Sequence, residues 1–218
     1  MTRFLISAGP TQEPIDDVRF ITNASSGAMG FALAKAAAER GHKVTMVVGP
    51  VAVMPSLRGV RVVRVRTAGE MARAVECELS TGFDVFISAA AVGDYTPVKA
   101  VKGKLSSKGG LVLRLKPTKK ITRLAKRKFP RVFVVAFKAE YGVPAGRLVA
   151  RAFEKLASEG LDLIVANDVM QNRMGAKSTD AYVIGGSGEV VHMPHARKAV
   201  VARRLVRVIE SCLCRAAF

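Results

Sequence analysis

An alternation running through most of the chain constrains the fold more than any other feature. Short apolar runs rich in β-branched residues occur at residues 3–9 (RFLISAG), 43–49 (KVTMVVG), 61–66 (RVVRVR), 84–91 (DVFISAAA), 131–137 (RVFVVAF) and 162–168 (DLIVAND). Gly, Pro or Asp bound them, so they read as strands. Between them, residues 27–40, 69–80, 119–128, 146–159 and 196–214 carry helical spacing. Strands joined through helices lie parallel, and a parallel sheet must be covered on both faces. The expectation is an α/β fold: a single three-layer αβα, Rossmann-like domain over residues 1–218 with a mostly parallel sheet.

Two stretches break the alternation. Residues 99–116 are basic, Gly-rich and end in LVLRLK, which reads as a loop followed by a strand. Residues 181–193 (AYVIGGSGEVVHM) place a Gly-Gly-Ser-Gly turn between two alternating runs, the pattern of a β-hairpin. Together they are expected to form a small antiparallel extension.

Composition excludes several classes. No apolar run approaches the roughly 18 residues needed to span a bilayer. Met1 leads almost directly into the first strand, without the pattern of a secretory signal. A cytoplasmic protein is expected, with no membrane partner. Cys77, Cys212 and Cys214 are too few and badly spaced for a disulfide framework or a zinc site, and read as free thiols. The three histidines lack metal-like spacing and read as surface or turn residues. The net charge of +18 draws anions. Phe, Tyr and Trp make up only 6% of the chain, with none interleaved among the basic segments as stacking platforms. Nucleic acid is therefore not the expected partner.

In open α/β sheets ligands bind beyond the carboxyl ends of the strands. Four such ends carry polar or small residues: SAGPT (7–11), SAAAVGDY (88–95), AFKAE (136–140) and VANDV (165–169). After the first comes NASSGAMG (23–30), where Ser25 and Ser26 can cap a helix and Gly27 and Gly30 permit close approach. The free N–H groups and positive end of a helix favour phosphate. A nicotinamide enzyme would need an acid after the second strand, which instead ends VVGPVAV. It would also need Tyr and Lys four apart on a helix. Tyr95 and Lys99 have that spacing, but Pro97 lies between them. The segment KGKLSSKGG (102–110) offers lysines on a flexible chain, as a mobile lid over a phosphate would.

SAGPTQEPIDDVRFITNASSGAMG (7–30) resembles the signature of the phosphopantothenoylcysteine synthetase family, ligases of coenzyme A synthesis. The resemblance continues through AAAVGDY, GKLSSKGGLVLRLKPTKKI, AFKAE and DLIVANDV, in order and over nearly the whole chain. In many bacteria and archaea this ligase is the C-terminal half of a bifunctional flavoprotein. The decarboxylase half has no counterpart here, so no flavin is expected, and a separate decarboxylase becomes a candidate partner. The resemblance implies joining of 4′-phosphopantothenate to cysteine through an acyl-nucleotidyl intermediate, with CTP as nucleotide, ATP as the alternative, and Mg²⁺. It implies that Gly9, Ser25, Gly27 and Gly30 line the triphosphate, and that Phe137 and Asn167 lie along the nucleotide. Asn23 would bind the pantothenate part and stabilise the intermediate, with Ala90, Ala91 and Asp94 also at the pantothenate and Asp94 a candidate metal ligand. Lys104 would act from the mobile loop on the nucleotide. Arg19 would reach the substrate phosphate of a neighbouring subunit, making a homodimer part of the site, with the antiparallel extension among its contacts. Two departures stand out: Ala28, where bacterial members often carry Lys, and Tyr141, where Thr is common.

Overall fold

The structure, a computed structural model, describes residues 1–170 and 176–216. In chain order the first elements are β1 (Arg3–Ala8), β2 (Gln12–Pro14), β3 (Phe20–Thr22), α1 (Ala28–Glu39), β4 (Lys43–Val48) and β5 (Val60–Arg64). Then follow α2 (Ala68–Leu79), β6 (Val85–Ser88), β7 (Tyr95–Pro97), β8 (Leu115–Pro117), α3 (Ile121–Lys128) and β9 (Phe133–Glu140). The last are α4 (Ala145–Glu159), β10 (Leu163–Asp168), β11 (Ser178–Gly185), β12 (Val190–Arg197) and α5 (Lys198–Ala216). Among the described residues, eight strands form one sheet in the order β12-β11-β10-β9-β6-β1-β4-β5. The six from β10 to β5 are mutually parallel, and their order is that of a doubly wound dinucleotide fold. The order reverses between β1 and β6, which leaves a crevice at their carboxyl ends.

The strands are apolar throughout because both faces are covered. Phe4, Ile6 and Ala8 of β1 join one core with α1 and α5, while Leu5 joins a second core with α2, α3 and α4. Phe4, Leu5 and Ile6 are fully buried. Each contributes about 1.5–3 kcal/mol of hydrophobic stabilisation. These two cores are the two outer layers anticipated from the alternation.

Expectation and structure part at the extension. The hairpin is longer than read, and it does not stand apart: it completes the main sheet, with β11 antiparallel to β10 and β12 antiparallel to β11. Of LVLRLK only its end is a strand: β8 pairs with β7 in a separate two-stranded sheet, and Val112 is 89% exposed. With no partner strand or core beside it, that run has nothing to pack against. Tyr95 lies on β7, so no helix presents it with Lys99. The hairpin β2–β3 was not anticipated; its three-residue strands are too short to carry a period. His42 is not a surface residue. Its ring packs on Phe4 and bonds Glu210 at 2.7 Å, tying α1 to α5 beside the Arg40–Glu210 pair. His192 stacks on Tyr182 and pairs with Asp180.

Gly30 sets how closely α1 approaches the sheet. A Cβ there would lie 2.5 Å from the Cβ of Ala8 and 3.2 Å from the Ser7 carbonyl oxygen. For Gly30→Ala we expect a loss of about 1–3 kcal/mol from overpacking, read as a fall in Tm of about 3–10 °C. An unchanged melting curve would contradict this packing.

Candidate active site

A cavity of about 490 Å³ opens where the sheet order reverses. Its walls are the start of α1 (Asn23, Ser25–Met29), the chain after β6 (Ser88–Val92), β9 (Ala136–Ala139) and the end of β10 (Val165, Asn167, Val169). Its rim carries Asp94, Lys119, Lys120 and Lys155. A shallower recess on the other side of the 23–26 segment shares Asn23, Ser25 and Ser26 with it.

The first turn of α1 is not capped by a side chain, contrary to the role read for Ser25 and Ser26. The cap is Gly27 in the left-handed region (φ 73°), and Ser25 Oγ accepts instead from the Gly27 N–H at 3.3 Å. No acid sits in that turn. The leading N–H groups of the helix, with its positive end, thus face the cavity without a side-chain acceptor, as an oxyanion site requires. Gly27 must be Gly for a second reason: a Cβ would meet the Gly9 nitrogen at 3.0 Å.

Asn23 is fixed by its amide, which donates to the carbonyls of Ala91 (3.2 Å) and Val92 (3.3 Å). Those carbonyls are held in turn: Ala91 N–H donates to Gly9 O (2.9 Å) and Ala90 N–H to Ser7 Oγ (3.3 Å). The ends of β1 and β6 and the segment before α1 therefore form one bonded unit. On the other side, Phe137 and Asn167 come from neighbouring parallel strands, in which Val165 pairs with Phe137 and Asn167 with Ala139.

Of the residues named from sequence, the structure gathers Asn23, Ser25, Gly27, Ala90, Ala91, Asp94, Phe137 and Asn167 around this cavity. Gly9 and Gly30 are buried behind it, where they permit close packing. Arg19 and Lys104 do not line it. Arg19 pairs with Asp16 at 3.2 Å and donates to Leu105 O at 3.3 Å. The metal role for Asp94 is not supported either. Its carboxylate faces the Lys120 ammonium at 2.6 Å, and no group of three metal-ligating side chains occurs among the described residues.

The lysines around the cavity differ in how far they are compensated. Lys138 pairs with Glu140 (2.8 Å), Lys155 with Glu159, and Lys120 with Asp94. The Lys138 hydrogen bond holds the Glu140 carboxyl below its ordinary range. Lys198 also lines the cavity, and among the described residues it has no acidic partner. It is half-buried, and burial pushes its ammonium below the usual lysine range. It also opens α5, where the helix dipole disfavours a cation. Sequence reading missed it, because spacing within α5 says nothing of a cavity built from residues far upstream.

Fold and site together define a Rossmann-like α/β domain with a cationic, anion-accepting cleft at its switch point. Residues 1–213 match the DNA/pantothenate metabolism flavoprotein C-terminal domain, and the chain belongs to that family. It is 37% identical over 212 residues to the coenzyme A biosynthesis bifunctional protein CoaBC of Thermococcus kodakarensis, covering 97% of this chain and 51% of that protein. The chain thus spans about half the length of the curated relatives it matches. The crystal structure of the C-terminal domain of a CoaBC protein superposes with a TM-score of 0.81 at 34% identity, covering 97% of this chain and 95% of that one. The DNA/pantothenate metabolism flavoprotein from Streptococcus pneumoniae gives 0.85 at 26% identity, covering 97% and 99%.

Lys198→Met removes an uncompensated cation from a partly buried position. We expect an unchanged or raised Tm together with about 10-fold or greater weakening of pyrophosphate binding by calorimetry, the scale of one charged hydrogen bond. Undiminished binding would show that Lys198 does not meet the anion.

Proposed function

We propose that this domain is a phosphopantothenate–cysteine ligase of coenzyme A synthesis. The observation that carries the reading is the cavity itself: an uncapped helix start, lysines on its rim, and between them the tethered amide of Asn23. The family supports it, since relatives of the matched domain are named for coenzyme A biosynthesis.

In the first step a carboxylate oxygen of 4′-phosphopantothenate attacks the α-phosphorus of CTP. The bond to the β-phosphate breaks and pyrophosphate leaves. The start of α1, with Ser25 and Gly27, holds triphosphate oxygens, and Lys198 with the rim lysines neutralises charge as pyrophosphate departs. Phe137 and Asn167 lie along the nucleotide. Ala90 and Ala91 seat the pantothenate. Asn23, its amide nitrogen committed to Ala91 and Val92, keeps its carbonyl oxygen to accept from a hydroxyl or amide N–H of the pantothenate part, which orients the acyl intermediate. In the second step the cysteine amine attacks the acyl carbon, the C–O bond to the nucleotide breaks, CMP leaves and the amine loses a proton. Walls that exclude water protect the anhydride between the steps.

Among the described residues no group of three His, Cys, Asp or Glu side chains forms a Mg²⁺ site by itself. The ion would belong with the triphosphate, whose oxygens are its natural ligands. CTP is favoured over ATP through the resemblance. Among the described residues no helix is long and apolar enough to cross a membrane, in keeping with work in the cytoplasm. Exposed Tyr95, Val98, Leu111, Val112 and Leu115 make the β7–β8 region the face for a homodimer. A phosphopantothenoylcysteine decarboxylase is the partner this reading implies, since a matched relative is named a bifunctional protein of coenzyme A biosynthesis.

With CTP, Mg²⁺, phosphopantothenate and cysteine, the protein is expected to release CMP and pyrophosphate, and to release none when phosphopantothenate is omitted. No nucleoside monophosphate with either CTP or ATP would sink the reading. Asn23→Asp should keep the fold and lower overall turnover by about 10²-fold, the scale of losing one preorganised polar contact. Wild-type turnover in that variant would remove Asn23 from the mechanism.

A further inference from the structure

The turn between β2 and β3 is bonded to the base of the lysine loop along its length. Val101 N–H donates to Ile15 O at 2.9 Å, and Asp17 N–H to Gly103 O at 3.1 Å. Gly103 N–H donates to the Asp17 carboxylate at 2.7 Å, and Leu105 N–H to the Asp16 carboxylate at 3.0 Å. Asp16 also accepts from the N–H groups of Val18 (2.8 Å) and Arg19 (2.6 Å) and from the Arg19 guanidinium (3.2 Å). Its side chain is 0% exposed. The Arg19 N–H bond above all holds this carboxyl below its ordinary range, so it is a fixed anion.

Lys104 lies between Gly103 and Leu105, both bonded to this turn. Its backbone is therefore set by two neighbouring carboxylates, Asp17 at Gly103 and Asp16 at Leu105, and of the two Asp16 also holds Arg19. Arg19 bonds Asp16 and Leu105 through one terminal nitrogen. A guanidinium has five donors in a fixed fork, so most of this one stays open to a ligand. Lys104 has no acidic partner among the described residues. Arg19 and the backbone on either side of Lys104 are thus tied to one turn, and neither Arg19 nor Lys104 is among the residues that line the cavity.

We infer that Asp16 is a positioning residue that joins Arg19 and Lys104 into one unit, delivered together to the phosphate groups of a single active site. The inference rests on the ligase reading for its catalytic consequence.

The test is a double-mutant cycle on pyrophosphate release. Asp16→Asn is expected to lower kcat of the first half-reaction by about 10-fold or more and leave the KM for cysteine unchanged. Combined with Lys104→Gln it should add no more than about twofold to the loss of Lys104→Gln alone, because coupled residues are not additive. Multiplying losses would mean a merely structural role and overturn the proposal. Asp17→Ala, at an exposed position, should give a smaller loss with unchanged Tm, and full activity in it would count against the latch. Mixing Arg19→Gln with Lys104→Gln protein under subunit exchange should restore no activity. Recovery towards about a quarter of the wild-type rate, the share of sites in a randomly mixed dimer that would regain both cations, would show that the two serve different sites. If wild-type protein shows no turnover, the ligase reading falls separately. Trypsin cleavage after Lys102 and Lys104 then decides the latch: faster cutting in Asp16→Asn and Asp17→Ala supports it, and equal rates overturn it.

Discussion

The seating of α1 against the end of β1 is the contact on which the rest depends. Gly30 lets the helix touch Ala8, and Gly27 lets its first residue rest on Gly9. Any side chain at these points would push the helix start away from the sheet. Its leading N–H groups would then no longer stand beside the chain after β6, and the Asn23 amide would lose the carbonyls of Ala91 and Val92. Here backbone packing and anion binding are one requirement. Gly30 and Gly9 act by placement, and Gly27 does so while also lining the cavity.

The distribution of charge follows from the same geometry. The chain carries 35 Lys and Arg against 17 Asp and Glu, so most cations have no acid to meet. The acids that exist are spent mainly on holding elements together: Glu210 between α1 and α5, Glu159 between α3 and α4, Asp162 between α3 and β9. Cations left over at the surface are solvated at little cost. One left over in a half-buried cleft, as Lys198 is, raises the energy of the empty site and lowers it when an anion arrives.

Much of this was legible in sequence, for physical reasons that also explain the rest. Strands such as RFLISAG are apolar on both faces because helices cover both, and helices such as α2 and α4 bury one stripe, so their periods survive in the chain. The family motif likewise located the cavity wall at Asn23, Ser25 and Gly27. Other features depend on three-dimensional neighbours and leave no local pattern. The β2–β3 hairpin is three residues a side. The run LVLRLK looks like a strand, yet has nothing beside it to pair with before β8. Lys104 was expected to act on the nucleotide and Arg19 at a neighbouring subunit's site, and no local pattern shows the tertiary contact between residues 86 apart that brings Arg19 to Leu105. Lys198 enters the site through the register of β12 and the start of α5, which no window of sequence contains.

The bonds at residues 101–105 also bear on timing. They, and the Val98–Arg114 hydrogen bond, leave only residues 106–113 spanning from one anchor to the other. Chains of about ten residues close on themselves in roughly 10–100 ns, whereas a typical enzyme turns over in about 100 ms. Motion of so short a span equilibrates many thousands of times in each catalytic cycle. Lys104, by contrast, stands in the bonded stretch, so it shifts only when those hydrogen bonds break or the β2–β3 turn moves with it.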